Sequence, residues 1–158
     1  MRVLAIDPGY DRLGVAVLER AGAKEHLVYS ACIETSKQSD LPSRLHDLGM
    51  QVEALIETYA PQALGIETLF FNKNQKTAIG VAQARGVVVY LAKKAGCTLY
   101  EFGPQEIKVA VTGYGKSDKR AVFDMVKRLI PEVKSGALDD EYDAIAIGIT
   151  CLAHCRVA

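Results

Sequence analysis

The chain has 158 residues, 49% of them hydrophobic and 24% charged, which fits an ordinary globular protein and most simply one domain, 1–158, with one sizeable core. Nineteen basic residues balance nineteen acidic ones, so any phosphate-binding face has to come from clustering rather than from overall charge. No apolar stretch approaches the roughly 20 residues a bilayer needs, no charged-then-apolar leader opens the chain, and its four cysteines form no C-x-x-C pair, so a cytoplasmic location without membrane contact is expected.

"RVLAID" at the start is a short β-rich run closed by the turn signal Asp7-Pro8-Gly9. "LGVAVLER" from Leu13 and "HLVYSACIET" from His26 follow, joined by "AGAKE", and predict an antiparallel meander. From Leu41 to Tyr59, Leu45, Leu48, Val52, Leu55, Ile56 and Tyr59 recur at three- and four-residue steps, an amphipathic helix that Pro61 stops. "QALGIET" from Gln62 predicts a second central strand. The run from Lys76 to Gly96 predicts a long helix whose Gly80 and Gly86 suit close packing, since glycine inside a helix costs about 1 kcal/mol against alanine. "CTLYEF" is a strand, "PQEIKVAVTG" a short helix, and "SDKRAVFDMVKRLI" another, with Ser117 as its expected N-cap. A closing helix runs through "LDDEYDAIAIGITCLAH". The order βββαβαβααα predicts one α/β domain around a mixed sheet.

Two segments invite other chemistry. "AVTGYGKS" from Ala110 imitates a phosphate-binding loop, but Ala110 stands where the first glycine belongs and a helix, not a strand, precedes it. A turn between two helices is expected there. Cys151, His154 and Cys155 share a helical neighbourhood, and small apolar core roles are expected of the cysteines in preference to zinc.

The acids carry the functional reading. Asp7 ends the first strand on the face of Val3 and Ala5, and Glu67 ends the fourth on the face of Gly65. Small neighbours leave room for an element to lie over that face. If both strands are central and parallel, their carboxyl ends meet where open α/β sheets place their sites. Asp140 and Asp143 are three apart on the last helix, and Asp139 and Asp143 four apart, so either pair projects to one side. The helix macrodipole accounts for one or two exposed acids at such an end. It does not account for Asp143 directly before the apolar "AIAIGI". Were this helix to cross the Asp7–Glu67 face, four carboxylates would converge. Hard oxygen ligands of that kind suit Mg²⁺ or Mn²⁺. Two such ions about 4 Å apart serve phosphodiester displacement.

"AIDPGYDRLGVAV", "DLPSRL", "IETLFFNKN", "AQARGVV" and "DEYDAIAIGIT", in this order, resemble the RuvC family of Holliday junction resolvases, within the ribonuclease H-like superfamily. The likeness runs essentially end to end. It implies a ribonuclease H-like mixed five-stranded sheet flanked by helices. It also implies a homodimer that nicks two strands of four-way junction DNA symmetrically with divalent metal, and a branch-migration helicase as partner. By motif position the resemblance puts the catalytic, metal-binding acids at Asp7, Glu67, Asp140 and Asp143. Asp139 stays in reserve, because helical geometry alone does not separate it from Asp140.

The resemblance also implies an aromatic that stacks on junction bases, at Phe70 or at the additional Phe71, with Lys73 beside them as a phosphate contact. Lys108 and Lys119 correspond to DNA-contacting positions, flanked by Lys116 and Arg120. With Lys127 and Arg128 these bases form the expected phosphate track. The helix from Lys76 to Gly96 is the expected dimer interface, through Gly80, Ala84 and Gly86. The alternatives are another nuclease of this fold acting on RNA and, less so, an actin-like nucleotide-binding fragment. The latter needs a second domain for which 158 residues leave no room.

Overall fold

The computed structural model describes residues 1–9, 11–70 and 75–155. The elements follow the expected order: β1 (Arg2–Asp7), β2 (Arg12–Ala21), β3 (Lys24–Glu34), α1 (Leu41–Tyr59), β4 (Ala63–Glu67), α2 (Gln75–Lys94), β5 (Thr98–Phe102), α3 (Pro104–Thr112), α4 (Lys119–Leu129) and α5 (Asp139–His154). The strands form one sheet in the order β3-β2-β1-β4-β5. β1 pairs antiparallel with β2 and parallel with β4, so the sheet is mixed and its parallel part is central. Central parallel strands are covered on both faces. Accordingly Val3, Leu4, Ala5 and Ile6 are all buried.

The two-residue strand period sorts these residues into two cores. Val3, Ala5, Ala16, Leu18 and Ala63 pack beneath α3, α4 and α5. Leu4, Ile6, Val15, Val17, Leu64 and Ile66 pack against α1 and α2 on the other side. Asp7, Gly14, Gly65 and Glu67 continue the first set and so belong to the face that α5 covers.

Local chemistry sets the helix ends. The Asp40 carboxylate accepts from the Ser43 N–H at 2.9 Å and opens α1. Ala60, at φ 45°, closes it in the left-handed region before Pro61. At α4 the cap is Asp118, whose carboxylate accepts from the Ala121 N–H at 2.8 Å, and not the expected Ser117. Asp118 wins because Ser117 turns inward, its hydroxyl 2.7 Å from Thr112 Oγ1. These hydroxyls brace the turn at Gly113, φ 77°, where α3 ends, so "AVTGYGKS" is an interhelical turn as expected.

The interface residues expected on α2 need correction. Gly80 and Ala84 face inward, with Ala84 wholly buried against the sheet. They permit close approach within the subunit. Gly86 does point outward, and a β-carbon placed there would meet nothing within 4 Å. Ile79 and Tyr90 are the exposed apolar residues of α2, and Met50 faces outward from neighbouring α1. Among the described residues, no helix is long and apolar enough to cross a membrane.

Candidate active site

Two glycines let α5 settle on the sheet. A β-carbon on Gly65 would lie 2.9 Å from Cys151 Cβ, and one on Gly14 would overlap the Asp140 carbonyl oxygen. At Gly65 and Gly14, therefore, the helix touches strand backbone. The parallel pairing of β1 with β4 brings Asp7 and Glu67 out at the same end of the sheet. The first turn of α5 hangs over that end.

The acids on this turn divide by direction. Glu141 folds back to accept from the Leu138 N–H at 3.2 Å and takes the Ser30 hydroxyl at 2.8 Å, a capping role. Asp139 is largely exposed. Asp140 and Asp143 turn inward. Asp143 and Glu67 line one pocket with Lys108 and Lys119, on apolar walls of Ile107, Val122, Ala146 and Ile147.

The electrostatics report the crowding. Burial pushes the Asp7 carboxyl up to about 7, with the charges of Asp143, Glu67 and Asp140 adding to it. Burial raises Glu67 too, and Asp143 contributes. Asp143 is raised by burial and by Asp140 and Asp139, against the opposing pull of Lys119. The Lys119 ammonium sits 3.2 Å from Asp143 and 3.4 Å from Asp139. It is held charged because these ion pairs outweigh its own desolvation.

Sequence reasoning missed Arg12, whose Nη2 lies 2.5 Å from Asp140 Oδ2. The Cys32 thiol donates to the same oxygen at 3.8 Å. A signal was available. Arg12 precedes Gly14 by two residues, so it shares the sheet face of Ala16 and Leu18.

Other expected residues scatter. Phe70 follows the strand-four acid closely and is 64% exposed. Phe71 and Lys73 lie outside the described residues. Lys116 is exposed in the turn after α3. Arg120 is almost fully exposed, within 4.0 Å of Asp124 and outside the acid pocket. Lys127 lies over the Tyr142 ring at 5.4 Å. As for the cation itself, no three His, Cys, Asp or Glu side chains among the described residues are drawn tightly enough to cage an ion. Asp7 feels the charges of Asp143, Glu67, Asp140 and Lys119, while Arg12 pairs with Asp140. Cys151 is buried on the face of α5 that meets Gly65, as expected of a core thiol.

The model of the family described as crossover junction endodeoxyribonuclease RuvC matches residues 3–151. The chain belongs to the RuvC family. The RuvC of Petrotoga mobilis is 43% identical over 146 residues, 92% of this chain and 90% of that protein. That of Thermosipho melanesiensis is 42% identical over 153 residues, 97% of each. Among solved structures, Thermus thermophilus RuvC in complex with a Holliday junction substrate superposes with a TM-score of 0.92 at 30% identity, covering 99% of this chain and 96% of that one. The fold is thus the ribonuclease H-like sheet of the RuvC family, with helices on both faces.

Proposed function

We propose that this chain is a structure-selective endonuclease that resolves four-way DNA junctions by symmetric paired nicks, in recombination and repair. The observation that carries the reading is the meeting of Asp7, Glu67, Asp140 and Asp143 at the carboxyl end of the central parallel strands, in a chain of the RuvC family. The junction bound to the Thermus thermophilus relative supports the substrate.

The donor set fits two divalent ions, Mg²⁺ or Mn²⁺. All four ligands are hard carboxylate oxygens, and their mutual repulsion in a partly desolvated pocket favours added positive charge. When bound, such ions supply Lewis-acid charge to the attacking and leaving oxygens of a phosphodiester displacement. The chain's own groups do the rest. Glu67 and Asp143 hold their oxygens at the pocket wall, and Ile107, Val122 and Ile147 exclude water behind them. Lys108 and Lys119 present ammonium groups at the pocket, where a phosphodiester backbone would enter. Phe70 presents an exposed ring beyond Glu67 for stacking on an unpaired base. Lys116 and Arg120 extend the positive rim.

Opposed nicks call for two copies about a two-fold axis. The surface that suits this is the apolar groove between α1 and α2, lined by Leu45, Met50, Gly86, Val87, Tyr90 and Leu91. A branch-migration helicase is the further partner that the family resemblance implies.

The test is incubation with a four-way junction, a linear duplex and an RNA–DNA hybrid, each with Mg²⁺ or Mn²⁺. Paired nicks in the junction, ligatable and dependent on metal, are the expected result. Preferential cutting of the RNA strand would replace the reading with an RNA-directed nuclease.

A further inference from the structure

Among the described residues, Arg12 is the one strong cation at the acid site that comes from the sheet. It stands at the start of β2, opposite Glu34 in the pairing of β2 with β3. From there it reaches the first turn of α5 and places Nη2 2.5 Å from Asp140 Oδ2. Cys32, which faces Gly14 across the same strand pair, brings its thiol to that oxygen as well. Both donors therefore fall on Oδ2.

Helix stability does not explain this arrangement. A cation beside a helix N-terminus opposes the macrodipole, and Glu141 already caps this end. What Arg12 meets is the carboxylate itself. A guanidinium is a planar fork with directional donors, whereas an ammonium such as that of Lys119 is closer to a point charge. Arg12 can thus set the orientation of Asp140 as well as balance its charge. Gly14 fixes the Asp140 backbone from below. Backbone and carboxylate are then both set by β2, two residues apart.

We propose that Arg12 is a positioning residue for Asp140: it engages Oδ2 so that Oδ1 is the oxygen presented to a divalent cation. The proposal rests on the reading of the acids as a metal site. Groups that orient metal ligands contribute about 10- to 100-fold to metal affinity. Arg12 is half exposed, so the low end applies.

The experiment measures Mn²⁺ binding to the free protein by electron paramagnetic resonance for wild type, Arg12→Gln, Arg12→Lys and Asp140→Asn. Junction affinity in EDTA, thermal unfolding in EDTA and the Mg²⁺ dependence of cleavage accompany it. Arg12→Gln should weaken Mn²⁺ binding by about tenfold and raise the half-saturating Mg²⁺ in step, with junction affinity in EDTA within about twofold of wild type. Arg12→Lys, which keeps the charge without the fork, should fall between, and it decides the matter if Arg12→Gln unfolds. Millimolar guanidinium should restore part of the Arg12→Gln loss. Unchanged or tighter Mn²⁺ binding in both variants would overturn the proposal and make Arg12 a plain counter-ion. Lost junction affinity with normal Mn²⁺ binding would also overturn it and make Arg12 a phosphate contact. Failure of the wild type to bind Mn²⁺, or undiminished binding by Asp140→Asn, would instead sink the metal reading of the acids.

Discussion

Gly14 lies directly beneath Asp140, so close that a β-carbon on the glycine would overlap the aspartate's carbonyl oxygen. The neighbour is backbone and has no rotamer to yield. Gly14→Ala should therefore lift the first turn of α5. Overpacking of this kind costs about 1–3 kcal/mol, which a fall in melting temperature would report. Cleavage should drop by more than the stability loss explains, because Asp140 and Asp143 move with the turn. A Gly14→Ala protein with normal stability and turnover would show that α5 is not seated as described.

The acids should separate chemistry from binding. Asp7→Asn, Glu67→Gln, Asp140→Asn and Asp143→Asn each remove a ligand charge and leave the basic rim intact. Metal charge is worth several kcal/mol at a phosphodiester, so cleavage should fall on the order of a hundredfold or more. Junction binding in a gel-shift assay should survive. Asp139→Asn should retain most activity, because Asp139 is largely exposed and Lys119 keeps its partner Asp143. The reverse result at Asp139 and Asp140 would shift the assignment by one residue.

Stability should depend on pH in a defined direction. Asp7 titrates near 3.8 in the unfolded chain and near 7 when folded. Between these values the folded protein holds the extra proton, so stability is fully present below about pH 4 and is lost as pH rises through about 7. Glu67 and Asp143 are raised too and act with the same sign. One pKa unit is worth about 1.4 kcal/mol, and screening in a pocket open to solvent reduces the total to the order of 2 kcal/mol. Thermal unfolding in EDTA across this window should show the decline, and Asp7→Asn should flatten it. Cleavage at subsaturating Mg²⁺ should rise with pH through the same range, and chelation should abolish it at every pH.

Phe70→Ala should impair junction cleavage without unfolding the protein. The ring is 64% exposed, so it contributes little to the core. Base–aromatic stacking is worth about 1–3 kcal/mol by such substitutions, or roughly 5- to 150-fold. A large fall in melting temperature, with cleavage per folded molecule unchanged, would remove Phe70 from the DNA-contacting set.

Ile79→Glu and Tyr90→Glu should shift the protein toward monomer mass in sedimentation at micromolar concentration and uncouple the two nicks. Both residues are exposed on α2 and leave the subunit core alone. Ala84→Glu should act differently and unfold the subunit, because Ala84 is wholly buried and an unpaired buried charge costs about 3–5 kcal/mol. A monomer that still resolves junctions into ligatable products would overturn the two-fold arrangement.

Much of this is legible in the order of residues. Element types and their succession follow from local period: two-residue alternation around Ala5 and Gly65, three- and four-residue steps in α1, turn chemistry at Asp7-Pro8-Gly9. The same alternation puts Asp7 and Glu67 on faces with small neighbours. Local period does not assign side chains between elements distant in the chain. Ser117 and Asp118 are equally good caps on paper, and only the Thr112 hydroxyl decides between them. Gly80, Ala84 and Gly86 read alike as small residues, yet two are buried and one faces outward, which depends on how α2 rolls against α1 and β5. Arg12 stayed hidden for the same reason. Its partner Asp140 is far along the chain, and the ion pair exists only because β2 and α5 cross at Gly14. Residue order thus settles which side chains can share a face. Which faces meet is settled only by folding, because that outcome depends on the packing of the whole sheet and its helices at once.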